Sequence, residues 1–262
     1  MSLIIDRLQQ HYEYAKQDYD DSNVIGISLY GSQNYNTDLE DSDIDTKLLV
    51  IPNLTSVYKN EKGVNKTLHI LETEELCTVK DIRCFLGELK KQNISSIEAL
   101  FTEYCIINPT YKKIWNELVS RREDIAYANP SLAAKAAVGI AYGYYDKLYN
   151  KETGEINCKV VGNLVRMEYF LLSYFEEKPY EECIKVSEER RDYIMQIRKG
   201  ELGKSSLDII ANTTIENIKQ IGQDIQEKNM APNYEIETFL EHISKEFIDM
   251  AFFAEYAKNG EI

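Results

Sequence analysis

The chain has 262 residues and a net charge of −14, from 44 acidic against 30 basic side chains. That length holds one large or two modest domains, and the acidity argues against non-specific nucleic-acid binding, which draws its affinity from Lys and Arg on phosphates. Five scattered cysteines (Cys77, Cys84, Cys105, Cys158, Cys183) form no CxxC pair, so a disulfide scaffold or a zinc site is not expected.

In chain order, residues 3 to 18 read as a helix, with Leu3, Ile4, Leu8, His11 and Tyr12 at helical spacing and Asp20 to Asn23 ending it. Neither a signal peptide nor an apolar run long enough to span a bilayer is visible, so a cytoplasmic protein with no membrane partner is expected. Val24 to Tyr30 and Asp45 to Ile51 read as strands, and Lys59 to Lys66 as an exposed hairpin loop. Thr67 to Leu71 and Leu76 to Val79 are further short strands. Thr78-Val79-Lys80-Asp81 looks like a helix N-cap with an acid at N3, and Asp81 itself reads as a capping residue. Helices follow to about Lys91, from Ser95 to Phe101, and over 110–128 up to Asn129-Pro130.

From Ser131 onward the pattern is helical throughout. Ser131 to Asn150 carries Ala136, Gly139, Ile140 and Gly143 on one face, a surface for close helix packing. Further helices are expected at about 157–177, 180–199, 205–228 and 233–258. Strands early and helices late argue for an α+β protein, with a strand-bearing domain over 1–128 and a helical domain over 129–262.

The chemistry concentrates between Val24 and Ile51. The first strand ends in Gly31-Ser32, and Asp43 and Asp45 open the second. Alternate strand residues share a face, so Asp43 and Asp45 project side by side while Ile44 points away. Two carboxylates so placed repel unless a cation lies between them, and Mg²⁺ takes one or two carboxylates plus phosphate oxygens. Glycine at the end of a strand lets backbone approach a phosphate closely. Asp38, Glu40, Asp41 and Ser42 also suit an ordinary solvated turn.

Gly31-Ser32, a spacer, and Asp43-Ile44-Asp45 before an apolar strand resemble the signature of the DNA polymerase β nucleotidyltransferase superfamily, and Asp41-Ser42 extends the match. Lys80 to Glu98 and Ile197-Arg198-Lys199-Gly200-Glu201 are similar to elements of a bacterial and phage group within it. The resemblance implies a nucleotidyltransferase-type mixed β-sheet with flanking helices followed by a helical domain. It also implies transfer of an NMP from an NTP, with ATP the expected nucleotide, to an acceptor hydroxyl with release of pyrophosphate. Asp43 and Asp45 would hold Mg²⁺, and Gly31 and Ser32 would cradle the phosphates. The acceptor is open: a small molecule such as an aminoglycoside, a protein hydroxyl or an RNA 3′ end.

The superfamily usually adds a third carboxylate from a neighbouring strand, about five residues before the acid that starts the next helix. Leu76 stands there, flanked by Glu74 and Glu75. Glu75 is assigned the catalytic role ahead of Glu72 or Glu74, on condition of a bulge or a register slip. Otherwise the third acid is absent, and the chain is a degenerate nucleotide-binding or protein-interaction module. Arg166 is assigned to the triphosphate because its helix resembles one whose basic residue faces the cleft; Lys47, Lys135 and Lys159 are further candidates. His11, His69 and His242 match no metal or triad spacing.

Overall fold

The computed structural model describes residues 2–40, 42–70 and 73–258. Asp41, Leu71 and Glu72, which entered the reading above, lie outside them. The chain falls into two compact units, one made of Met1–Gln33, Glu40–Ala128 and Asn233–Ile262, the other of Asn34–Leu39 and Asn129–Pro232.

The first unit opens with helix α1 (Ser2–Ala15). Strand β1 (Val24–Tyr30) follows, buried along its whole length except at Tyr30. Near-continuous apolar burial of this kind marks a strand covered on both faces. A 3-10 turn begins at Ser32, and the chain returns as β2 (Asp45–Val50). Short helix α2 (Leu54–Tyr58) and β3 (Asn65–His69) come next, so the last two residues of the expected exposed loop, Asn65 and Lys66, are strand. Strand β4 (Leu76–Asp81) then feeds helix α3 (Ile82–Lys90). Thr78 lies inside β4 and caps nothing. The N-cap is Asp81, whose carboxylate accepts from the Arg83 N–H at 2.8 Å. Helix α4 (Ile94–Ile97), strand β5 (Cys105–Ile107), and helices α5 (Lys112–Ser120) and α6 (Arg122–Ala126) complete this stretch.

The five strands form one mixed sheet in the order β3-β4-β2-β1-β5. β1 and β2 are antiparallel, with Tyr30 opposite Asp45 and Ser28 opposite Lys47. β2 and β4 run parallel, with Thr46 opposite Cys77. α1 covers one face, where Leu8 and Ala15 pack on Ile27, Leu48, Val50 and Val79. Helices α3 and α4 cover the other face, which carries buried charge. Lys80 Nζ sits 2.7 and 2.6 Å from the two Glu88 oxygens, and Lys47 Nζ donates to the Ser95 carbonyl at 2.7 Å.

The second unit contains α7 (Pro130–Tyr145), α8 (Cys158–Phe175), α9 (Tyr180–Ile184), α10 (Glu188–Arg198) and α11 (Lys204–Glu227). Its α7 packs through Ala133, Ala134, Ala137 and Ala141, which are buried. The expected packing face is the wrong one: a Cβ on Gly139 or Gly143 would meet nothing within 4 Å, whereas Gly222 on α11 admits the side chain of Val138. An alanine-rich helix offers small residues on more than one face, and spacing alone does not choose between them.

The last helix, α12 (Tyr234–Lys258), belongs to the first unit. The expected division, with all of 129–262 helical and separate, is corrected on that point. Phe247 is fully buried with its ring 6.1 Å from that of Tyr111, and Lys90 on α3 bonds Glu241 at 2.9 Å. Helical periodicity reports an apolar face but not its partner. Phe247→Ala should therefore destabilise the sheet-bearing unit by about 3–5 kcal/mol. Urea unfolding followed by the fluorescence of Trp115, the single tryptophan, on α5, measures this; an unchanged midpoint would detach α12 from that unit.

Candidate functional site

The antiparallel pairing of β1 and β2 brings the two halves of the motif together. Tyr30 is the residue opposite Asp45, so Gly31 emerges beside the Asp45 carboxylate. Gly31 has φ +109°, a conformation that side chains with a Cβ rarely adopt. A Cβ there would lie 3.9 Å from both Asp45 Oδ2 and Gln33 Oε1. Gln33 Nε2 donates to the Asp43 carbonyl at 2.9 Å, tying the turn after β1 to the acidic segment. Its Oε1 is buried without a hydrogen-bond partner among the described residues. Asp43 is exposed and Asp45 half-buried, and Asp45 Oδ1 accepts the Leu76 N–H at 2.9 Å.

The β2–β4 register sets Leu76 beside Asp45, and the acid that sequence reasoning assigned there points elsewhere. Strand alternation sends Thr46 to the face opposite Asp45, where its hydroxyl meets His11 Nδ1 at 2.9 Å. Glu75 lies on that same opposite face. Its Oε2 accepts from Arg7 Nε at 2.7 Å, with Arg7 Nη2 also in contact, and from His11 Nε2 at 3.1 Å. Its Oε1 accepts the Ile44 N–H at 3.3 Å. Glu75 as a third metal carboxylate is thereby corrected: no register slip brings it round, and its oxygens are engaged by α1 and by Ile44. Among the described residues no group of three or more His, Cys, Asp or Glu side chains is arranged to hold a metal ion.

The chemistry of the partners fixes the His11 tautomer. A carboxylate only accepts, so Nε2 carries the proton and Nδ1 accepts from Thr46. Burial pushes the His11 pKa below 6.5, against the opposing pull of Glu75. Burial alone would raise the Glu75 carboxyl, but its bonds from Arg7 and His11 outweigh that and hold it below 4.5. Sequence reasoning missed His11 and Arg7 because their partner lies more than sixty residues away along the chain, and no local spacing encodes the pairing.

Arg166 is placed in the second unit, on α8, and is 4 % exposed. Its guanidinium carbon stands 3.8 Å from the centre of the Tyr35 ring. Segment 34–39, between the two halves of the motif, is held in that unit by two further arginines. Arg191 Nε donates to the Asn36 carbonyl at 3.0 Å and Arg198 Nη1 to that of Thr37 at 2.6 Å. The assignment of Arg166 to a triphosphate is corrected to a buried contact with this segment. Lys47 is buried too, its ammonium 5.0 Å from the Tyr30 ring centre, and burial together with nearby Lys80 pushes its pKa down to about 8. Lys135 and Lys159 are exposed on α7 and α8.

For Mg²⁺ the fit is partial. The Asp45 carboxylate and the partnerless Gln33 oxygen both stand beside Gly31, oxygen donors of the kind a hard cation takes with only one or two carboxylates, and Asp43 lies two residues before Asp45. A three-carboxylate cluster is not present among the described residues.

No family model matches the chain, and no curated protein does. Among solved structures, a nucleotidyltransferase-like protein from Exiguobacterium sibiricum 255-15 aligns over 83% of this chain and 75% of its own, at 12% identity and a TM-score of 0.30. So low a likeness fixes neither fold nor activity. The α+β architecture, a mixed five-stranded sheet with flanking helices, stands on the strand order itself. Among the described residues no helix is long and apolar enough to cross a membrane.

Two outcomes are expected. The unfolded chain binds more protons than the folded one wherever His11 or Glu75 is held below its ordinary value, so stability falls as pH drops. The loss should begin near 6.5, the ordinary His11 value, and continue below 4.5 as Glu75 is protonated. Thermal unfolding against pH checks this, with His11→Gln flattening the upper part of the curve and Glu75→Gln the lower. Separately, Gly31→Ala should cost about 1–2 kcal/mol through its backbone conformation alone, read as a shift in the urea midpoint.

Proposed function

We propose that the chain is a Mg²⁺-dependent nucleotidyltransferase that moves an NMP from an NTP, ATP being the expected nucleotide, to an acceptor hydroxyl. The observation that carries this reading is the meeting of Gly31, held at φ +109°, with Asp45 across the β1–β2 pair, Asp43 two residues before it. Gly31 leaves room for a phosphate to approach the backbone. Ser32 offers it a hydroxyl, and Asp43 and Asp45 would hold the metal. When bound, Mg²⁺ supplies charge neutralisation along the triphosphate and stabilises the leaving pyrophosphate. In the reaction the acceptor oxygen bonds to the α-phosphorus, the bond to the bridging oxygen breaks, pyrophosphate departs, and the hydroxyl proton passes to water. The protein's own part is positioning and electrostatics.

A second reading has a specific observation in its favour. Leu76 stands beside Asp45 where a third acid belongs, and the Glu75 carboxylate is bound to Arg7 and His11. A chain so built would bind nucleotide without turning it over. A nuclease is disfavoured by the glycine-lined approach upstream of the acids.

The test is incubation with Mg²⁺ and each common NTP, reading pyrophosphate release with and without host-cell extract. Release is expected with extract, and Asp43→Asn or Asp45→Asn should cut it by about a hundredfold or more at unchanged thermal stability. Full release in both variants overturns the assigned acids. Mg²⁺-dependent nucleotide binding without release selects the second reading.

A further inference from the structure

β2 begins at Asp45, so Ile44, between the two acids, lies outside the strand ladder. Its N–H needs another acceptor, and Glu75 Oε1 supplies it at 3.3 Å. The next two residues are held as well. Asp45 Oδ1 takes the N–H of Leu76, the neighbour of Glu75, at 2.9 Å, and the Thr46 hydroxyl meets His11 at 2.9 Å. Ile44 and the first two residues of β2 are thus pinned by one short segment and one face of α1.

Glu75 is itself constrained. Its side chain is 13% exposed, lies against Arg7 at 23% and against His11 at 0%, and Thr73 Oγ1 accepts the Glu75 N–H at 3.2 Å. Sheltered charges pay a desolvation cost that apolar residues avoid. Anchoring α1 to the sheet needs only the apolar contacts of Leu8 and Ala15 already present. What a charged clasp adds is direction: a carboxylate with both oxygens engaged holds a peptide N–H at a set angle.

We infer that Arg7, His11 and Glu75 form a clasp that positions the Ile44 peptide and the Asp45 carboxylate, with Glu75 a positioning residue on the far side of the strand from the Asp45 carboxylate that would hold the ion. The consequence for metal binding rests on the nucleotide-site reading above; the clasp itself does not.

The full-length chain tests it in two ways. Calorimetry with Mn²⁺ and ATP reads metal affinity, and amide hydrogen exchange reads protection of the Ile44 N–H. Glu75→Ala is expected to weaken Mn²⁺ binding about 10–100-fold, the usual scale for losing a group that orients a ligand, and to speed Ile44 exchange. Glu75→Gln keeps one acceptor oxygen for the Ile44 N–H but sets its NH2 against the donors Arg7 and His11, so Ile44 protection and Mn²⁺ affinity should both recover in part, to values between those of Glu75→Ala and wild type. Arg7→Ala, at a partly exposed position, should show a weaker form of the alanine phenotype if Glu75→Ala fails to fold.

Equal loss of Mn²⁺ in Glu75→Gln and Glu75→Ala, with Ile44 still protected, would make Glu75 a ligand and overturn the inference. A lowered melting temperature with unchanged Mn²⁺ affinity and Ile44 exchange would reduce the cluster to an anchor and overturn it too. A wild-type chain that binds no Mn²⁺ sinks the nucleotide-site reading alone. The exchange arm then decides by itself, unchanged Ile44 protection in Glu75→Ala rejecting the clasp and faster exchange supporting it.

Discussion

The pairing of β2 with antiparallel β1 on one side and parallel β4 on the other is the constraint on which the sheet-bearing unit depends. Side chains on β2 alternate, and the sheet is covered on both faces, so each residue of β2 is committed to one of two environments. Thr46, Leu48 and Val50 go to α1. Asp45 and Lys47 go to the other face, Asp45 at its open end and Lys47 under α4. A one-residue slip would exchange the two sets, turning the acid toward α1 and Leu48 toward the charged face under α4. The same register that packs Leu48 therefore delivers the Asp45 carboxylate to Gly31.

Charge on the second face has to be accommodated within the core. Lys47 and Lys80 are buried close together, and each has a defined acceptor: Ser95 for the first and Glu88 for the second. Burial of an ammonium favours its neutral form, and the lowered pKa of Lys47 is the measure of that cost. Glu88 also takes the Ser96 hydroxyl, so strand, α3 and α4 are linked by polar contacts in addition to Phe85 and Leu89. Such a network tolerates little rearrangement, because losing one member leaves another charge buried and unpaired.

Segment 34–39 follows a different logic. The chain leaves the sheet-bearing unit after Gln33 and rejoins it at Glu40. Between those points its carbonyls and one aromatic ring are held by Arg166, Arg191 and Arg198. Arginine suits this work because its planar fork bonds carbonyls while its face stacks on a ring. Arg166, which the resemblance assigns to a triphosphate, is here occupied by the Tyr35 ring.

Much was determined by the sequence alone. β1, β2 and the helices α8 and α11 follow from apolar period and flanking punctuation, which are local properties. The need for glycine at position 31 is met by a positive φ, but β2 begins only at Asp45, so strand alternation does not reach Asp43. Tertiary structure alone decided what depends on partners distant in the chain. α12 returns to the first unit because its apolar stripe found Tyr111, and a stripe does not name its partner. Arg166 turned to Tyr35 and Glu75 to Arg7 and His11, since a charged side chain pairs with whatever the fold brings within a few ångströms. Period and spacing are written along the chain, but the direction in which a lone carboxylate points is set by register and by what packs behind it.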